Sequence, residues 1–130
     1  MRSAVASQAI MVAPDSPHNY PGTLGNQAVA VNFHAGSHYV GLRLLEGYLP
    51  KEKIKLVHYG SPIHRFESML NGEVAAAVVM EPWITLGEKL GCKTVAEGHY
   101  LGAENASEDM DEETFAGINR AVENAVDLIN

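Results

Sequence analysis

The chain has 130 residues, enough to bury one sizeable core and too few for two ordinary domains, so a single domain is expected. Hydrophobic residues make up 46% and charged residues 19%, which is globular rather than disordered composition, and no apolar run approaches the roughly 20 residues that span a bilayer. Nine Lys plus Arg against sixteen Asp plus Glu give a formal charge of −7, which disfavours nucleic acid and anionic membranes as partners, although much of the acid is gathered between Glu104 and Glu113.

Ala4 to Ala13 ends in Ile10-Met11-Val12 before Pro14 and predicts a first strand. Asp15 to Asn26, rich in Pro, Gly and Asn, reads as a surface loop with His18 and Tyr20 facing solvent. Ala28 to Phe33 is a second, β-branched strand. The small residues Ala35-Gly36-Ser37 then turn the backbone into a helix running from about Ser37 to Leu49, stopped by Pro50, with Tyr39, Leu42, Leu45 and Leu49 near one face. The first amides of that helix lack partners and carry the positive end of its dipole, so a ligand's oxyanion or carbonyl can sit on them. Ser37 either caps these amides or offers its hydroxyl to the same ligand.

Ile54 to His58 is a third strand. Ser61-Pro62 pairs an N-cap with proline at the first helical position, Phe66, Met69 and Leu70 supply a buried stripe, and Asn71-Gly72 ends the helix. Val74 to Met80 is an unbroken run of small apolar residues, as expected of a central strand covered on both faces. Glu81-Pro82-Trp83 starts another helix, with Leu86 and Leu90 inward and Gly91 as its stop. Cys92 to Glu97 is a shorter strand and Gly98 to Ser107 is irregular. A last helix begins at Asp109 or Asp111 and carries Phe115, Ile118, Val122, Ala125 and Ile129 on one face as far as Asn130.

Alternation of strand and helix is the signature of an α/β domain with an open, mostly parallel sheet and helices on both faces. Ligands of such folds collect beyond the carboxyl ends of the strands, where three turns converge: His34 to Tyr39, His58 to His64, and Met80 to Trp83. Six histidines raise the question of a metal. His34 and His38 with His58 or His64, completed by Glu81, contain the donors of a zinc site, but no recognised zinc spacing is present, so no metal and no cofactor are expected. Cys92, the single cysteine, is read as a small buried side chain rather than a nucleophile.

The order VAVNFHAGSHY, then NGEVAAAVVMEPW, then LGCKTV resembles the second lobe of type II periplasmic substrate-binding proteins, in the group that binds sulfonates, taurine, nitrate and thiamine precursors. Gly36-Ser37, Gly72-Glu73-Val74 and Glu81-Pro82-Trp83 match the family's pattern in order and spacing, and AIMVAPDSP looks like the strand that enters this lobe from the hinge. Ala75 departs from the Asp usual there, and the first lobe is absent. The resemblance covers roughly Ala4 to Glu97 and implies half of a two-lobed binding protein: a fragment, or a short chain that pairs with a second copy as a homodimer.

The resemblance implies a small polar or anionic organic ligand held by Gly36, Ser37, His38 and Tyr39, with Ser61, His64, Glu81 and Trp83 from the other two turns. Trp83 either stacks on the ligand or fills the rim of the core, and Glu81 either accepts from a ligand amine or caps its helix. Two other functions stay open: an enzyme on this fold using His34, His38 and Glu81 for acid–base chemistry, and a self-pairing module without ligand. The family is periplasmic. The weakly apolar MRSAVASQAI is a poor secretion signal, so a cytoplasmic protein, or one whose leader has been removed, is expected.

Overall fold

In the computed structural model, which describes residues 2–103 and 105–129, strand and helix alternate as β1 (Arg2–Val12), β2 (Ala28–Val31), α1 (Gly36–Glu46), β3 (Lys55–His58), α2 (Pro62–Leu70), β4 (Ala76–Met80), α3 (Trp83–Lys89), β5 (Lys93–Ala103) and α4 (Glu112–Ile129). The five strands form one open sheet in the order β3-β2-β4-β1-β5. β2 runs parallel to both β3 and β4, and β1 is antiparallel to β4, with Ile10 opposite Val78. The fold is thus α/β with a mostly parallel sheet. The chain divides into two compact units, Ser7–His99 and a smaller one of Met1–Ala6 with Tyr100–Asn130.

Within the larger unit the period-two alternation of strand side chains makes two cores. On one face Ala9, Met11, Ala30, Ala77 and Val79 pack with Phe66 and Met69 of α2 and Ile84 of α3. On the other, Ile10, Val12, Val29, Val31, Ala76 and Val78 pack with Leu45 of α1 and with Leu49. β4 is fully buried from Ala76 to Val79, as its uninterrupted apolar sequence requires.

The helices face the sheet differently from their large apolar residues. α1 turns Ser37, Gly41 and Leu45 inward and leaves Tyr39 59% exposed, and α3 turns Ile84 and Gly87 inward while Leu86 and Leu90 stay exposed. On α2, Leu70 is exposed and Arg65 takes a buried place. The reason is close approach: a Cβ at Gly41 would sit 2.8 Å from Val78 Cγ2 and 3.4 Å from Val31 Cγ1. Gly41→Val is therefore expected to lower stability by about 1–3 kcal/mol in chemical denaturation, since overpacking meets rigid valines and the few tenths of a kcal/mol by which valine exceeds glycine in helix propensity do not offset it.

The loop before β2 contains a 3-10 turn, Pro21–Leu24, that buries Leu24. β5 extends to Ala103, so the irregular path expected from Gly98 begins later: the stretch from Lys93 joins the sheet next to β1, and pairing overrides its glycines. In the smaller unit Asp111 starts α4, accepting from the Thr114 N–H at 2.8 Å and the Thr114 hydroxyl at 2.7 Å. Phe115 and Val122 are half-buried, whereas Ile118, Ala125 and Ile129 are exposed. Among the described residues no helix is long and apolar enough to cross a membrane.

Candidate functional site

Because β2, β3 and β4 are parallel, the turns leaving their carboxyl ends share one edge of the sheet. Val31 lies opposite His58 in the ladder, and the Tyr59 N–H donates to the Val31 carbonyl at 2.8 Å, so the turns after β2 and β3 start side by side. Three helices begin on this edge. Ser61 caps α2 by accepting from the His64 N–H at 3.2 Å, and Glu81 covers the start of α3 by accepting from the Thr85 N–H at 3.1 Å and the Thr85 hydroxyl at 3.0 Å. α1 has no such cap. Its N-cap position is Ala35 rather than Ser37, and among the described residues the Gly36 and Ser37 amides find no acceptor. Ser37 is the second residue of the helix, only 4% exposed, and its Oγ accepts from the Asn32 N–H at 2.9 Å, which closes the turn beneath those amides.

A run of rings borders this open helix end. Phe33 packs against His38 at 5.2 Å between centroids, His58 at 5.4 Å and His34 at 6.5 Å, and His38 continues to Tyr39 at 5.2 Å. Two backbone donors hold the imidazoles: the Phe33 N–H gives to His58 Nδ1 at 3.1 Å and the His34 N–H to His38 Nδ1 at 3.2 Å. His34 has a left-handed backbone, φ +64°, which costs a residue with a Cβ about 1–2 kcal/mol and places it at the tip of the turn. Gly36, His38 and Tyr39 thus lie together at this helix start. Phe33, which the sequence reading passed over, joins them, and so does His58.

The remaining candidates are engaged elsewhere. Trp83 is half-buried with its ring 5.6 Å from Phe66, packed against the core under α2 and α3. Ser61 and Glu81 spend acceptors as helix caps, and His64, exposed, borders a hollow of about 270 Å³ with Tyr59, Glu67 and Glu73. Burial and the neighbouring Glu73, whose carboxylate accepts from the phenol at 3.2 Å, hold the Tyr59 hydroxyl above its ordinary pKa. Arg65 is a further residue that sequence reasoning missed. Only 4% exposed, it donates from Nε to the Val78 carbonyl at 2.8 Å and from Nη1 to the carbonyls of Tyr59 and Gly60, each at 3.2 Å, fastening the second turn to β4. Burial lowers its pKa from the ordinary arginine value.

Among the described residues no three His, Cys, Asp or Glu side chains lie close enough together to hold a metal ion. Cys92 is 7% exposed within the α2–α3 core, and burial raises its thiol pKa, so thiol reagents should label it on the order of a hundredfold more slowly in buffer than in denaturant. Equal rates in the two conditions would contradict this placement. A larger hollow, about 470 Å³, is at the opposite edge, lined by Asp15, His18, Gln27, Lys55 and Glu73 near the amino ends of β2 and β3.

No family model matches this sequence, and no curated protein sequence matches it. Solved structures match its backbone. The fold is that of one lobe of an ABC-transporter solute-binding protein. The periplasmic aliphatic sulphonate binding protein SsuA from Escherichia coli aligns over 90% of this chain with a TM-score of 0.68 and 20% identity, and the chain spans 42% of that protein. The substrate-binding protein of an amino acid ABC transporter aligns over 94% with a TM-score of 0.66 and 17% identity, with 54% of its own length covered. The arginine-, lysine-, histidine-binding protein ArtJ from Geobacillus stearothermophilus aligns over 97% with a TM-score of 0.63 and 15% identity, with 55% covered. This chain spans about half the length of such proteins or less.

Proposed function

We propose that the chain is a solute-binding lobe that takes a small polar or anionic organic molecule on the carboxyl edge of its sheet, within the group of binding proteins that includes sulfonate binders. The observation that carries this reading is the start of α1: no side-chain oxygen caps it and the Gly36 and Ser37 amides have no acceptor among the described residues, whereas Ser61 and Glu81 place side-chain oxygens at the starts of α2 and α3 on the same edge. Two amides at the positive end of a helix dipole suit a carboxylate, sulfonate or carbonyl oxygen. The His38 and Tyr39 rings, 5.2 Å apart between centroids, follow these amides in the first turn of the helix.

A half-cleft encloses its ligand only when a second lobe closes over it. That lobe belongs to the same polypeptide or to a second copy of this chain in a homodimer, and sedimentation velocity distinguishes the two: a monomer at high protein concentration removes the dimer. Native mass spectrometry before and after denaturation tests for a co-purified solute. Gly36→Pro then tests the site, because proline is tolerated at the first helical position and deletes one amide donor. We expect an affinity loss of about tenfold or more with an unchanged fold, as for a hydrogen bond to a charged group. Undiminished binding by that variant would move the ligand away from α1.

A further inference from the structure

Phe33, His34, His38, Tyr39 and His58 form a continuous run of rings along the carboxyl edge, and none of them belongs to either core. Phe33 and Tyr39 stay 39% and 59% exposed, so large apolar faces are kept in solvent beside the open start of α1.

The polar atoms of the run are directed as well. His38 and His58 each accept a backbone N–H at Nδ1, and an accepting ring nitrogen carries no hydrogen. Each neutral ring therefore holds its proton on Nε2, and neither Nε2 has an acceptor among the described residues. Two N–H donors thus sit on rings that both touch the Phe33 phenyl. The three turns contain one carboxylate, Glu81, which is turned to α3, where it accepts from the Thr85 N–H and hydroxyl. Two donors on neighbouring rings, with the one acid of these turns engaged by Thr85, suit an anion, and the exposed rings suit a flat one.

On the solute-binding reading above, we infer that the ligand of this edge is a planar aromatic anion, an aryl carboxylate or aryl sulfonate. Its ring lies against Phe33 and its neighbours, and its oxygens accept from the Nε2–H groups of His38 and His58. An aliphatic anion wastes the rings; an aromatic cation meets donors where it needs acceptors.

Calorimetric and ¹H–¹⁵N NMR titrations of the full chain with benzoate and benzenesulfonate test this, against cyclohexanecarboxylate, which keeps the charge and lacks the π face, and benzamide, which keeps the ring and lacks the charge. The aromatic anions should bind about tenfold more tightly than either control, and Phe33→Leu and His58→Asn should each weaken them about tenfold. Asparagine can still accept from the Phe33 N–H at the place of Nδ1 while removing the outward donor, so His58→Asn separates ligand contact from loss of the turn. Equal binding of cyclohexanecarboxylate with no response to Phe33→Leu would overturn the aromatic requirement and leave solute binding standing. Preference for benzamide would overturn the anionic one. No binding of any probe at millimolar concentration would overturn the inference, and a co-purified solute in the native mass would then show that the lobe binds something else.

Discussion

Replacing Arg65 by methionine is expected to cost about 2–4 kcal/mol of folding stability. Two effects oppose each other. Methionine relieves the chain of burying a guanidinium that has no acidic partner, the ion pair among the described residues being His99 with Glu97. Against this, the carbonyls of Val78, Tyr59 and Gly60 lose the donor that joins them, and Val78 is fully buried. The losses win because the buried Val78 carbonyl, left unsatisfied, costs about 1–3 kcal/mol and the partly buried Tyr59 and Gly60 carbonyls lose their shared donor with it, whereas the guanidinium's desolvation is already offset in part by those same bonds. Lysine should not rescue the protein: one ammonium keeps the buried charge but lacks the planar fork that serves two elements at once. Urea unfolding of Arg65→Met and Arg65→Lys checks both points, and a cost below about 0.5 kcal/mol, typical of a surface substitution, would show that the turn after β3 does not depend on Arg65.

That arginine also illustrates which parts of the fold were legible in the sequence. Ser61-Pro62 and Asn71-Gly72 mark the ends of α2 where they are found, and the apolar run before Met80 gives the central strand, because these signals are local: a cap, a proline, a left-handed glycine at φ +74°, a run too short for a helix. Which face each helix presents was less legible. Apolar periodicity follows the large residues, whereas α1 and α3 approach the sheet on Gly41 and Gly87, and what makes those positions inward is the shape of Val78, Met11 and Phe66 on other elements. A charged residue on a helix is by default exposed, so nothing local marks Arg65 as buried; its acceptors are fixed by the register of β4 and by the turn after β3.

The same division runs through the candidate site. Its place followed from topology, since parallel strands separated by helices put their outgoing turns on one edge. Gly36, His38 and Tyr39 were accessible from the Gly-Ser turn itself. Phe33 and His58 become neighbours only through the pairing of Val31 with His58, and that register is set by the hydrophobic pattern of β2 and β3 together, not by either strand alone. Ser37 looked like a cap because of its position before an apolar periodic stretch. The helix begins one residue earlier, at Gly36, so the hydroxyl turns back to the Asn32 N–H and leaves the amides above it open.

Ile10→Ala and Met11→Ala should each lower stability by about 2–5 kcal/mol, and their effects should be independent. These neighbours in β1 are both fully buried, yet alternation sends them to opposite faces: Ile10 into the core with Val31, Leu45 and Val78 under α1, Met11 into the core with Phe66, Met69 and Ile84 under α2 and α3. A cavity on one side is walled from the other by the sheet. Because two such losses together rival the whole stability of a small domain, the cycle is best run with Ile10→Val, at about 0.5–1.5 kcal/mol, combined with Met11→Ala. The coupling should stay within about 0.5 kcal/mol, as for sites that share no partners. Repeating the cycle with Ile10→Val and Val78→Ala gives the contrast, since those two residues belong to one core and lie opposite each other in the β1–β4 ladder. Their coupling should exceed about 0.5 kcal/mol, in the range found for residues in contact. Strong coupling between positions 10 and 11, or none between 10 and 78, would mean that the sheet does not separate two cores and that α1 is not packed on it independently of α2 and α3.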